Sequence, residues 1–151
     1  ADYFPMCSPS LLRSKRPLRV PQDLRWHVLL HDETIPDEAI RPTWENWFKV
    51  AGVTGVKPHH GPRFRDVSLA LEAACDGQGL VLAMEPVARR EIEAGRLVIP
   101  FATPLRAHLA FYLVAPMAVA EQLAVVAFRE WLLDEAAKEA SRVAASEIAA
   151  P

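Results

Sequence analysis

Residues able to do chemistry are few in this sequence, and none is set up for catalysis. Ser8, Ser10 and Ser68, with His31, offer hydroxyls and a base. Nothing in their local setting would activate a hydroxyl. Asp32-Glu33 and Asp37-Glu38 pair carboxylates in a polar, proline-punctuated stretch, with no apolar wall to raise a pKa. His27 and His31 stand four apart, the spacing of two metal ligands on one helix face. The Val28-Leu29-Leu30 run between them suits a strand, where that offset is too long for one ion. His59-His60 reads as a loop pair. The chain has no Gly-x-Ser-x-Gly elbow, no phosphate-binding Gly-Lys-Ser/Thr loop and no CxxC. The expectation is a protein that is not an enzyme, with no catalytic residue, no metal and no cofactor.

Binding chemistry has more support. A strand over Pro62–Arg65 feeds a helix capped by Asp66. Free amides at Val67 and Ser68, the Ser68 hydroxyl and the Arg63 or Arg65 guanidinium could together receive a carboxylate. The plainer reading makes both arginines surface charges, with Ser68 serving its own helix. Arg13, Lys15, Arg16 and Arg19 form a basic cluster able to meet phosphates. Without interleaved aromatic residues, a solvated turn is the favoured reading. Trp44 and Trp47 could form a ligand platform, though packing on a sheet is the commoner role for such a pair.

The elements that must position these groups centre on Gly61–Gly95. Asp66 is a good N-cap, and Val67, Ala70, Leu71 and Ala74 make one apolar helix stripe ending at Gly77. Leu80–Ala83 is a short continuous apolar run, as in a strand buried on both faces. Pro86 suits the first turn of a second helix that stops at Gly95. Leu97–Ile99 is a further strand candidate. Short links between alternating helices and strands mark an α/β unit.

Around that unit, Asp2–Cys7 reads as a strand that Pro5 assigns to an edge or a crossing segment. A short helix is expected from Val20 and a strand at Val28–Leu30. Thr43 caps a helix whose stripe is Trp44, Trp47, Phe48 and Ala51, closed by Gly52. Pro100–Arg106 reads as a loop and His108–Ala115 as a long apolar, aromatic strand. A helix is expected from about Ala118 to Lys138, with Ala120, Leu123, Ala124, Ala127, Phe128, Trp131 and Leu132 as a broad core-facing stripe. The Ala- and Ser-rich end beyond Glu139 reads as a frayed or disordered extension.

The 151 residues are 51% apolar and 24% charged, an ordinary globular composition. A formal net charge of −2 argues against nucleic-acid binding by this chain alone. No apolar run approaches the ~18 residues of a membrane span. Asp2 and Pro5 interrupt the start and no basic segment precedes an apolar one, so no signal peptide is expected. Cys7 and Cys75 read as two reduced thiols of a cytoplasmic protein.

Several of these segments, in this order, also resemble a known family. Pro62-Arg63-Phe64, then a helix, then Gly77-Gln78-Gly79, an apolar strand and Pro86 is similar to the effector-binding domain of LysR-type transcriptional regulators. Phe4-Pro5-Met6-Cys7-Ser8-Pro9-Ser10-Leu11-Leu12 resembles the strand and turn that open the second half of that domain. Pro21-Gln22-Asp23-Leu24, Leu29-Leu30-His31-Asp32 and Trp44-Glu45-Asn46-Trp47 resemble the elements that follow. Phe111-Tyr112-Leu113-Val114 and Ala127-Phe128-Arg129-Glu130-Trp131-Leu132 resemble the closing strand and helix. The likeness covers roughly residues 1–135 and is greatest to the branch named for the glycine-cleavage activator.

The resemblance implies an α/β, periplasmic-binding-protein-like (type 2) fold. The second subdomain would be nearly whole, with only the closing strand and helix of the first. It divides the chain into a crossing strand (1–9), subdomain II (10–104), a returning strand and helix (105–137) and a flexible tail (138–151). It implies a cytoplasmic, effector-sensing fragment of a DNA-binding regulator that takes a small, anionic co-inducer in the cleft between subdomains. Pro62, Arg63, Phe64, Ser68, Leu82, Met84 and Tyr112 would line that cleft, Phe64 by packing and Ser68 by hydrogen bonding. Partners would be the effector and further copies in a dimer or tetramer. DNA would be reached only through an N-terminal helix-turn-helix absent here, and no membrane is involved. Periplasmic solute-binding proteins share the two-lobed architecture and are the alternative, with a small enzyme behind them. The closing helix would lack the sheet its stripe normally covers, so it is expected to pack on a partner copy or to swing away.

Overall fold

The computed structural model describes residues 1–148, with side chains through 141. It divides into two compact units, Ala1–Ala110 and Phe111–Pro151.

The first unit is a mixed five-stranded sheet with helices packed on it. Its strands are β1 (Asp2–Met6), β2 (Leu29–Asp32), β3 (Arg63–Phe64), β4 (Leu80–Met84) and β5 (Leu105–Arg106), in the spatial order β3-β2-β4-β1-β5. The β2 strand runs parallel to β3 and β4, pairing His31 with Arg63 and Leu29 with Leu80. The β4 strand is central, and four of its five residues are buried, as its unbroken apolar sequence requires.

Helix α1 (Trp44–Ala51) starts where the Thr43 side chain accepts the Asn46 amide proton. Its Trp44, Trp47 and Phe48 pack with Leu24, Leu29, Leu82 and Phe101 in one core. Both indoles are buried and spent on structure: Trp44 Nε1 donates to the Leu30 carbonyl and Trp47 Nε1 to that of Thr103, each at 3.0 Å. Helix α2 (Val67–Cys75) is capped by Asp66 and buries Ala70, Leu71, Ala73 and Ala74. With α3 (Glu85–Glu93) it covers the other face, where Met6, Leu30, Val81, Ala88 and Leu97 form a second core.

Three expectations for this unit change. Strand β1 is flanked by β4 and β5 and is not an edge. Pro5 is tolerated because N–H directions alternate along a strand. Cys7 and Tyr3 bridge to Val98 and Leu105, and Pro5, between them, faces the gap where no ladder bond is required. The strand expected at Leu97–Ile99 shrinks to that single bridge at Val98. Part of the expected Pro100–Arg106 loop is instead β5.

The second unit holds α4 (Leu123–Ile148). The expected strand over His108–Ala115, which carries Tyr112, does not form. Phe111, Tyr112 and Val114 are each more than four-fifths exposed. Among the described residues no strand pairs with this segment, and an extended stretch without a ladder gains no backbone hydrogen bonds. Helix α4 begins later than expected and continues past Glu139 to Ile148. The alanines that suggested a tail are the best helix formers. Residues 149–151 of the expected tail lie outside the described residues. Phe128 and Trp131 stack at 5.8 Å, and each is more than half exposed.

Candidate functional site: a charged cleft at the ends of the parallel strands

A cleft of about 340 Å³ opens at the C-terminal ends of β2 and β3, facing the N-terminus of α1. This is where ligands sit in open α/β sheets. Leu82 and Trp44 give it an apolar floor, and Leu30 borders it while its side chain packs in the second core on the opposite face of the sheet. His31, Asp32 and Glu33 come from the end of β2, Arg63 from β3, and Glu45 from the first turn of α1.

Charge alternates around the mouth. Glu33 receives the Arg63 guanidinium in a close charge-assisted hydrogen bond. Arg41 approaches the same carboxylate at 3.6 Å. The Arg63 bond, aided by the positive charges of Arg63, Arg41 and Arg65, holds the Glu33 carboxyl below the usual range against a smaller opposing effect of desolvation. Arg41 also donates to the carbonyls of Ile35 and Pro36, at 2.6 and 2.9 Å, which fixes the loop it closes. His31 Nε2–H donates to the His60 carbonyl at 3.1 Å. Burial lowers the His31 pKa, which favours the neutral ring. Lys49 pairs with Glu45 at 3.0 Å, and its hydrogen bond lowers that carboxyl's pKa.

Of the residues expected to bind effector, Arg63 and Leu82 line this cleft. Pro62 and Phe64 hold the strand: their carbonyls accept the amides of His31 and Glu33 at 2.9 and 2.7 Å. The Phe64 side chain packs against the second core, and Met84 against the first. Ser68 is exposed, and its amide is already bonded to Asp66 Oδ1 at 2.8 Å. That amide is therefore not free to receive an anion as the sequence suggested. Tyr112 lies in the second unit, 85% exposed. Sequence reasoning missed His31, Glu33, Arg41 and Glu45 as lining residues. The available signal was position: His31-Asp32-Glu33 ends the strand that precedes a capped helix. Elsewhere, His27 Nε2 bonds the Arg16 carbonyl, so the two histidines serve different loops.

Comparison with known proteins matches residues 2–137 to the LysR substrate binding domain. The chain is 43% identical over 140 residues to the glycine cleavage system transcriptional activator of Escherichia coli K12, covering 92% of this chain and 44% of that protein. It is 32% identical over 137 residues to the homologous activator of Haemophilus influenzae, covering 89% and 42%. The chain thus spans less than half the length of these relatives. The effector domain of AmpR from Pseudomonas aeruginosa superimposes with a TM-score of 0.75 at 30% identity, over 93% of this chain and 64% of that one. The mixed sheet with helices on both faces fits the periplasmic-binding-protein-like fold. Among the described residues no helix is long and apolar enough to cross a membrane. On the family match and the extent of these alignments, the chain belongs to the LysR substrate-binding domain family.

Proposed function

We propose that this chain is the effector-sensing part of a cytoplasmic transcription regulator and that it is not an enzyme. A small anionic effector is taken up at the cleft above Leu82 and Trp44. The observation that carries this reading is the Glu33–Arg63 pair at the cleft mouth, beside a capped helix and at the ends of parallel strands. Arg63 offers a planar fork that matches a carboxylate in two parallel hydrogen bonds. The effector carboxylate replaces Glu33 as its partner, while the apolar floor holds the rest of the molecule. Pro62, Phe64, Ser68 and Met84 complete the proposed set in this unit, the first two by holding the strand that presents Arg63. In the intact protein, which reaches DNA through an N-terminal helix-turn-helix and works as a homo-oligomer, effector binding changes the grip on DNA.

A thermal-shift screen of small carboxylates and amino acids tests this. A ligand that binds only the folded state stabilises it by RT ln(1 + [L]/Kd), about 2.7 kcal/mol at a hundredfold excess over Kd. The expected result is stabilisation by at least one anion, lost in Arg63→Ala and without turnover of the compound. Turnover would favour an enzyme. A shift that survives Arg63→Ala would remove the cleft from the reading.

A further inference from the structure

We infer that the basic surface preceding β2, at the end of the sheet away from the cleft, is a docking site for the phosphate backbone of duplex DNA. Residues 13–27 hold Arg13, Lys15, Arg16, Arg19 and Arg25 against the single carboxylate of Asp23. That segment carries +4 in a chain whose net charge is −2. All five cations are exposed, and among the described residues none forms a salt bridge. Asp23 feels the charge of Arg25 but forms no salt bridge with any of the five. Its Oδ2 accepts the amides of Arg19 and Val20, both at 3.0 Å.

The fold supplies the aromatic group that the sequence cluster lacked. Trp26 is half exposed and lies beneath two guanidinium groups, Arg16 at 3.9 Å and Arg25 at 5.0 Å from the ring centroid. Such stacking orients a guanidinium through the ring face and leaves its N–H fork for an outside acceptor. A hollow of about 420 Å³ adjoins this surface through Arg25 and His27. Lys57 and His60 also line it, and no carboxylate does. Apart from Asp23, which lines a second hollow with Arg16, Arg19 and Trp26, the surface carries one sign, and arginine predominates in it. Duplex DNA offers a matching row of phosphates, whereas a protein partner would present mixed charge. The contact is a second, sequence-independent one beside the N-terminal helix-turn-helix of the proposed intact regulator, and its choice of DNA as occupant rests on that regulator reading. On β2 the cleft begins at Leu30 and the basic surface ends before Val28. Effector and DNA can therefore be held at the same time, and this inference stands whether or not the cleft reading does.

The test is fluorescence anisotropy of a labelled short duplex of arbitrary sequence with the 151-residue chain, titrated over a range of salt. The expected affinity at low salt is in the non-specific range of about 10⁻⁴–10⁻⁶ M, weakening linearly in log[salt]. Combined Arg16→Glu, Arg19→Glu and Arg25→Glu should weaken binding at least about tenfold and flatten the slope by about 0.9 for each phosphate no longer neutralised. A charge-matched triple, Arg90→Glu, Arg106→Glu and Arg129→Glu, should keep both affinity and slope. If the first triple unfolds the chain, as far-UV circular dichroism would show, Arg19→Gln with Arg25→Gln carries the same test with a smaller loss. Absence of binding at low salt overturns the inference, as does an equal loss in both triples. Tighter binding of poly-glutamate than of duplex also overturns it and assigns the surface to an acidic protein.

Discussion

The carboxylate of Glu33 and the guanidinium of Arg63 meet across the mouth of the cleft, although 30 residues separate them in sequence. Parallel pairing of β2 with β3 brings them together, through His31 opposite Arg63 and Asp32 opposite Phe64. An anion entering the cleft must compete with Glu33 for this fork. Glu33→Gln removes the internal competitor's charge and should tighten anion binding several-fold. Arg63→Ala should weaken it by about ten- to a hundredfold, the worth of one charge-assisted hydrogen bond of about 1.5–3 kcal/mol. Calorimetric titration of both variants with a carboxylate found by thermal shift checks the pair. Equal affinities in the parent and Glu33→Gln would show that the pair does not gate the fork.

Trp44 ties α1 to the middle of β2 through its bond to the Leu30 carbonyl in a buried setting. Trp44→Phe keeps most of the ring but leaves that acceptor without its donor, at a cost of about 1–3 kcal/mol. Trp44→Ala adds a cavity, with a total cost of about 3–5 kcal/mol. Denaturant midpoints measured at constant m-value should rank parent, phenylalanine and alanine in that order. Because Trp44 also borders the cleft, the phenylalanine variant should still bind ligand if the indole's role is structural.

Local signals made much of this fold readable. Asp66 and Thr43 each accept an amide proton at the helix starts their sequence contexts announce. The apolar run at Leu80 is a central strand because only a strand covered on both faces can be apolar at every position. Signals that depend on a distant partner were not readable. His108–Ala115 has the residues of a strand but no neighbour to pair with among the described residues. Pro5 suggested an edge or a crossing segment; the edge alternative fails, because a bridge on either side of it leaves one interior place where a missing N–H costs nothing. The cleft depends on long-range register as well. Arg63 and Leu82 were found through their positions on strands, whereas Glu33, in an acidic loop by sequence, becomes a site residue only when β3 arrives beside it. Trp26 likewise joins the basic cluster through folding, not through sequence order.

Gly61 sits against the carbonyl of Leu29, at φ 131°. A Cβ there would lie 1.8 Å from that oxygen, so the backbone itself would have to move. Gly55 also has positive φ, 72°, but a Cβ there would meet nothing within 4 Å. Gly55→Ala should therefore cost only the dihedral penalty, about 1–2 kcal/mol. Gly61→Ala should cost more than about 3 kcal/mol, beyond the usual range for one strained residue. It should also disturb the β2–β3 pairing that presents Arg63. Thermal denaturation of the two variants separates overlap from backbone preference, and equal losses would show that strand β3 can shift without penalty.

His31 gives the first unit a dependence on pH. Burial lowers its pKa from the ordinary 6.5, and the nearby Arg63 and His59 act in the same direction. The His60 carbonyl and Glu33 oppose this but do not reverse it. Below 6.5 the unfolded chain therefore takes up a proton at this position before the folded chain does. Stability rises with pH wherever the unfolded state binds more protons. The contribution of neutral His31 is thus fully present above 6.5 and is lost as pH falls through the lower, folded-state pKa. Replacing it by His31→Gln keeps a donor for the His60 carbonyl and removes the titration. Denaturant unfolding of parent and variant should give stability curves that differ by a constant amount above 6.5 and converge as the pH falls below that value. Curves that stay parallel through this window would mean that His31 titrates alike in both states.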